Sequence, residues 1–90
     1  MIIYKYSLAL LGEQQLELPL GAKVISVMNQ DDTIVVYALI DPDEQTTHMV
    51  TFYIKPTGRP FPEGGMAFLG TVSYGPTHSL VFHIFYKEGI

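Results

Sequence analysis

Apolar and polar residues alternate along most of this chain, and Gly, Pro and Asx residues interrupt the alternation about every 8 to 12 positions. That pattern predicts short strands joined by tight turns. The first strand is Ile2 to Leu8, with Ile2, Tyr4, Tyr6 and Leu8 on one face. Gly12-Glu13 reads as a turn into a second strand, Gln14 to Leu18, where Leu16 and Leu18 oppose Gln15 and Glu17. Leu18-Pro19-Leu20-Gly21 turns the chain into a third strand, Ala22 to Met28. Asn29-Gln30-Asp31-Asp32 has the polar composition of a hairpin loop.

The fourth strand, Thr33 to Ile40, breaks the alternation. It runs Thr-Ile-Val-Val-Tyr-Ala-Leu-Ile, with no polar residue after Thr33. An unbroken apolar run marks a strand covered on both faces. Two covers are expected for the second face: a neighbouring subunit meeting Val35, Tyr37 and Leu39, or the domain's own loops.

Asp41-Pro42-Asp43-Glu44-Gln45 ends that strand as an acidic turn. His48 to Lys55 then alternates cleanly, Val50, Phe52 and Ile54 facing in and Thr51, Tyr53 and Lys55 facing out. Pro56 to Gly65 is one long loop, dense in Pro and Gly. Met66 to Tyr74 and Leu80 to Tyr86 are the last two strands, joined by Gly75-Pro76-Thr77-His78-Ser79, and Lys87 to Ile90 is a short tail. No segment carries a helical period. Residues 1–90 are therefore expected to form a single all-β domain, a small antiparallel sandwich or partly closed barrel of about six to seven strands.

Composition sharpens this picture. Hydrophobic residues make up 48% of the 90 positions and charged residues only 16%, against roughly 25% charged in an average domain. A small domain leaves much of its surface exposed, so the surplus points to an unusually large core or to a homo-oligomer interface. There is no cysteine, hence no disulfide framework and no thiolate chemistry. The apolar start, Ile2 to Leu11, lacks a basic leader and is broken by Lys5, so it reads as a strand rather than a signal peptide. No stretch approaches the ~20 apolar residues of a membrane span. Net charge is −4, and the basic residues Lys5, Lys23, Lys55, Arg59 and Lys87 are scattered singly. Long nucleic acid, which needs clustered cations, is not an expected partner.

Catalytic chemistry finds no support in the residues. His48, His78 and His83 have no metal-ligand spacing and read as isolated structural or surface residues. The acidic turn lacks the ligand spacing and glycine of a calcium loop. No serine sits in a nucleophile elbow, and no Gly-rich phosphate loop occurs. The expectation is a non-enzyme without metal or cofactor.

Binding is easier to place. Arg59, the only arginine, stands between Gly58 and Pro60 in the long loop. Prolines stiffen such a loop and reduce the entropy lost on gripping a ligand, and a guanidinium offers a planar fork of donors to phosphate or carboxylate. Lys55, Thr57 and Gly58 add a second cation, a hydroxyl and a close backbone approach, and Tyr53 an aromatic surface. The plain alternative is a surface loop whose arginine pairs with the acidic turn.

Several short pieces, in order along the chain, carry a family resemblance: Tyr4-Lys5-Tyr6, Glu17-Leu18-Pro19, Gly21 to Val27, Ala38-Leu39-Ile40-Asp41-Pro42, Thr57-Gly58 with Pro60, Leu69-Gly70-Thr71-Val72 and Val81 to Phe85. In these the chain resembles a family of small uncharacterised proteins of phage and bacterial genomes, catalogued as a domain of unknown function. Members often carry histidine where Arg59 stands, so Arg59 departs from the family pattern. The resemblance implies a phage-type accessory protein acting in the host cytoplasm, of the kind that antagonises host defences. Three functions are expected in order of preference. The first is an oligomeric protein that sequesters a nucleotide-like or phosphorylated small molecule through Arg59, Lys55 and Thr57, with tyrosines stacking on a base. The second is a direct inhibitor of a host defence protein, and the third a minor virion structural or assembly component.

Overall fold

The computed structural model describes residues 1–61 and 64–89. Pro62 and Glu63 of the expected loop, and Ile90 of the expected tail, lie outside the described residues. Among the described residues there are seven strands and no helix: β1 Ile2–Leu8, β2 Glu13–Pro19, β3 Lys23–Gln30, β4 Thr33–Ile40, β5 Thr47–Pro56, β6 Ala67–Tyr74 and β7 Leu80–Glu88. They form two antiparallel sheets, three-stranded β1-β4-β3 and four-stranded β2-β5-β7-β6. The fold is sandwich-like, with no closed barrel. Among the described residues no helix is long and apolar enough to cross a membrane.

The period-two alternation explains the core. Leu8 of β1, Val24 of β3, and Ile34, Val36, Ala38 and Ile40 of β4 face Leu18 of β2, Val50, Phe52 and Ile54 of β5, Val72 of β6 and Ile84 of β7. All are buried, and Phe52 is the largest of the fully buried side chains. Tyr6 packs against this cluster. Burial first, and the neighbouring Tyr4 second, raise its hydroxyl above the ordinary tyrosine pKa.

Two strands run two residues beyond the alternation's prediction, and the other boundaries differ by one residue at most. The hairpin between β3 and β4 has two residues, not four: Asp31 and Asp32 have φ of 51° and 59°, as a type I′ turn requires. Asn29 and Gln30 consequently pair with Ile34 and Thr33 inside the ladder. At the other end of the chain, Lys87 and Glu88 belong to β7 rather than to a tail, because they pair with Thr51 and Val50. The Gly89 N–H then donates to the Met49 carbonyl at 2.7 Å.

The second face of β4 is covered neither by a loop nor wholly left bare. Lys5, opposite Tyr37, reaches the Gln30 Oε1 on β3 at 3.1 Å, so its stem crosses β4 over Val35. Ser7 and Met28 flank Val35 in the ladder, and the Tyr37 hydroxyl leans onto the Met28 Sδ at 3.5 Å. Long side chains can cover apolar surface in this way. Val35 is only 2% exposed in the single chain, which leaves it almost no area for a partner. Tyr37 and Leu39 remain half-buried.

The sheets meet along one side, where β3 runs beside β6. Both strands are bulged there, between Val24 and Ser26 and between Phe68 and Gly70, and bulges bend a strand toward its neighbour. The Asn29 Nδ2 donates to the Ser73 carbonyl at 2.8 Å, and the Gly75 N–H to the Asp32 Oδ1 at 3.3 Å. Gly70 makes the approach possible, since a Cβ there would stand 2.7 Å from the Val27 Cγ1. A valine is stiff at χ1 and cannot swing aside cheaply. Gly70→Ala is expected to destabilise the domain by about 1–3 kcal/mol, with Val27→Ala in the same chain restoring part of the loss. Urea denaturation of the two variants checks it, and an unchanged midpoint for Gly70→Ala contradicts the close approach.

Candidate functional site

Strand register gathers the candidate residues on the outer face of the four-stranded sheet. On β5 the core takes Phe52 and Ile54, so Tyr53 and Lys55 point outward. Opposite them on β7 stand Phe85 and His83. On β6 the same two rows end in Phe68 and Thr71. One row is thus polar, Lys55–His83–Thr71, and the next aromatic, Tyr53–Phe85–Phe68.

The loop leaving β5 folds over these rows. The Thr57 N–H donates to the Val81 carbonyl at 3.3 Å, and Gly58 follows at φ 85°, a left-handed turn that glycine adopts without strain. Further along the loop, Phe61 stacks on Phe85 with ring centres 4.5 Å apart, and Phe68 meets Phe85 edge-on at 5.3 Å. The loop is therefore held at its start by backbone pairing and at Phe61 by an aromatic contact. Between these holds lies a cavity of about 240 Å³ lined by Lys55, Thr57, Gly58, Arg59, His83 and Phe85, with Phe61 at its side. Lys55, Thr57, Gly58 and Arg59 thus share one hollow. Tyr53 sits beside it, its ring centre 5.9 Å from the Lys55 Nζ.

His83 is the polar centre of the site. Its Nε2 lies 2.8 Å from the Thr57 Oγ1 and its Nδ1 3.0 Å from the Thr71 Oγ1. A hydroxyl both donates and accepts, so the two threonines satisfy the ring in either neutral tautomer. Period-two spacing puts His83 and Phe85 on one face, but only the β5–β7 pairing sets them beside Lys55 and Tyr53. Thr71 and Phe61 are likewise brought in by tertiary structure, and nothing local in the sequence marks any of the four as part of the site.

Arg59 does not pair with the acidic turn. That turn enters β5 and the loop leaves it, and the strand between them spans roughly 30 Å. The turn's acidic side chains serve the turn itself: Asp41 Oδ1 accepts the Asp43 N–H at 3.0 Å, and Glu44 Oε2 the Thr46 N–H at 3.1 Å.

Besides a hollow of about 340 Å³ next to the site, lined by Pro56, Thr57 and Ser79 to Phe82, two still larger ones lie elsewhere. One, of about 730 Å³, sits by the β3–β4 and β6–β7 turns and holds Asp31, Asp32 and His78, a poor setting for an anion. The other, of about 750 Å³, is lined by Lys23, His48, Tyr86, Lys87 and Glu88. The His48 Nδ1 is buried there without a hydrogen-bond partner. The three histidines therefore line three separate cavities, and among the described residues no three His, Asp or Glu side chains converge as a metal site would require.

Because Thr57 and His83 hold the loop together, Thr57→Val and His83→Ala are expected to be non-additive. A double-mutant cycle by urea denaturation should return a coupling of about 1 kcal/mol. Simple additivity contradicts the bond.

No curated protein and no solved structure matches the chain. The family model of a domain of unknown function, DUF7352, matches residues 1–89. The chain belongs to that uncharacterised family.

Proposed function

We propose that the protein is a binding protein rather than an enzyme, and that its ligand is a small phosphorylated or nucleotide-like molecule held on the outer face of the four-stranded sheet. One observation carries the reading: Arg59 and Lys55 share a cavity with a fully hydrogen-bonded histidine, beside the Phe61–Phe85–Phe68 cluster. The cations and the Thr57–Gly58 backbone suit a phosphate, and the aromatic row suits the face of a base. Phe85 and Phe61 take the stacking role that tyrosines alone were expected to fill, with Tyr53 at the margin. At about 240 Å³ the hollow is smaller than the ~300–1,000 Å³ of drug-sized sites, which fits one phosphate and its sugar with the base lying on the open aromatic row.

The resemblance to phage proteins supports a setting in which the protein sequesters a host signalling nucleotide in the cytoplasm and so blunts a defence response. A second reading, direct inhibition of a host protein, has one observation in its favour. Phe68, 59% exposed, widens the aromatic row into a surface patch that a protein partner could cover.

Calorimetric titration with nucleoside monophosphates and cyclic dinucleotides tests the first reading. Arg59→Ala should weaken binding of the best ligand at least about tenfold, or 1.4 kcal/mol, while the double variant Lys23→Ala/Lys87→Ala leaves it unchanged. Binding lost in the lysine pair and kept in Arg59→Ala would move the site to the larger hollow. No binding by any probe would favour a protein partner.

A further inference from the structure

The sandwich has four strand edges, and they are not treated alike. The β3 and β6 edges shield each other where the sheets meet. The β2 edge carries Glu13, Gln15 and Glu17 and ends in Pro19, and charge and proline are the usual protections of an exposed edge. The β1 edge has neither protection along most of its length. It pairs only with β4, it has no bulge or proline, and its one charge, Lys5, is drawn inward to Gln30. Its outward N–H and C=O groups form an open template for another strand.

The side chains along that edge are apolar at both ends. Met1, Ile2, Ile3 and Tyr4 are 41% to 70% exposed at one end, and Leu10 and Leu11 are more than half exposed at the other. The leucines are held out: Gln14 bonds both the N–H and the carbonyl of Ala9, at 2.8 and 2.7 Å, which fixes the turn that carries them. Antiparallel pairing of two identical strands brings the first cluster of one copy against the second cluster of the other. The six side chains expose on the order of 600 Å², near the roughly 800 Å² per partner that a standard interface buries.

We infer that the protein forms a two-fold dimer in which β1 pairs antiparallel with β1 of a second copy, joining the two three-stranded sheets into one of six strands. An axis beside Tyr6 sets Ile2 opposite the second copy's Leu10 and Lys5 opposite its Ser7, so the two Lys5 ammoniums do not face each other. This surface is separate from the candidate ligand site on the other sheet, and it replaces the β4 face as the place where copies meet. The inference does not depend on what ligand the protein binds.

The test is the native mass across a concentration series, by light scattering coupled to size exclusion. The wild type should run at twice 10.1 kDa, and Ile3→Glu should raise the dissociation constant at least about tenfold. A wild type that stays at 10.1 kDa up to about 100 μM, or a dimer indifferent to Ile3→Glu, overturns the inference. Should Ile3→Glu fail to fold, the cysteine-free chain allows a second test with Ile2→Cys and Leu10→Cys combined. Ile2 begins β1 and Leu10 lies two residues past its end, roughly 20 Å apart in one chain, far beyond disulfide reach. Mild oxidation should then give a covalent dimer, and a product that remains monomeric contradicts the pairing.

Discussion

The contact between β3 and β6 is the constraint from which the other features follow. Two sheets of three and four strands could slide or splay, but here one side is closed by a glycine packed under Val27 and by two hydrogen bonds from the β3–β4 hairpin. Closing that side fixes β6, and with it β7, relative to the core. Because only one side closes, β1 and β2 are left as free edges on the other. A sandwich closed on one side and open on the other thus presents a rigid outer face and an unguarded edge in the same small molecule.

The rigid face belongs to the four-stranded sheet. Its inner side is filled by Phe52, Ile54, Val72 and Ile84, and their alternation forces Lys55, His83, Thr71, Phe85 and Phe68 outward in two neighbouring rows. Side chains on strands are held more firmly than those on loops. Arg59 is the exception, since it rides on the loop. Phe61 on Phe85, and Thr57 on Val81 and His83, reduce that loop's freedom before any ligand arrives.

Most of the fold could be read from alternation and turn residues, because a period of two assigns each strand its buried face wherever one face is polar. β4 shows where that logic stops. An unbroken apolar run says both faces are covered, but not by what; the answer, a lysine stem and a methionine from the flanking strands, depends on register that no local pattern contains. The candidate site divides in the same way. Lys55, Thr57, Gly58 and Arg59 adjoin in sequence, so their clustering was visible there. His83, Thr71 and Phe61 join them only through the β5–β7–β6 ladder and the fold of the loop, and a lone histidine on a strand gives no sign of its neighbours. The free edge of β1 was equally hidden, since its sequence looks like any half-buried strand until the sheet order makes it terminal.

The outer face of the four-stranded sheet is the proposed ligand site. Titrating the isotope-labelled protein with nucleoside monophosphates and following backbone amide shifts by NMR addresses this directly. The shifts should concentrate at Thr57, Gly58, Arg59, Thr71, His83 and Phe85. Shifts confined to Lys23, His48 and Lys87, or an unchanged spectrum with every nucleotide, would contradict it.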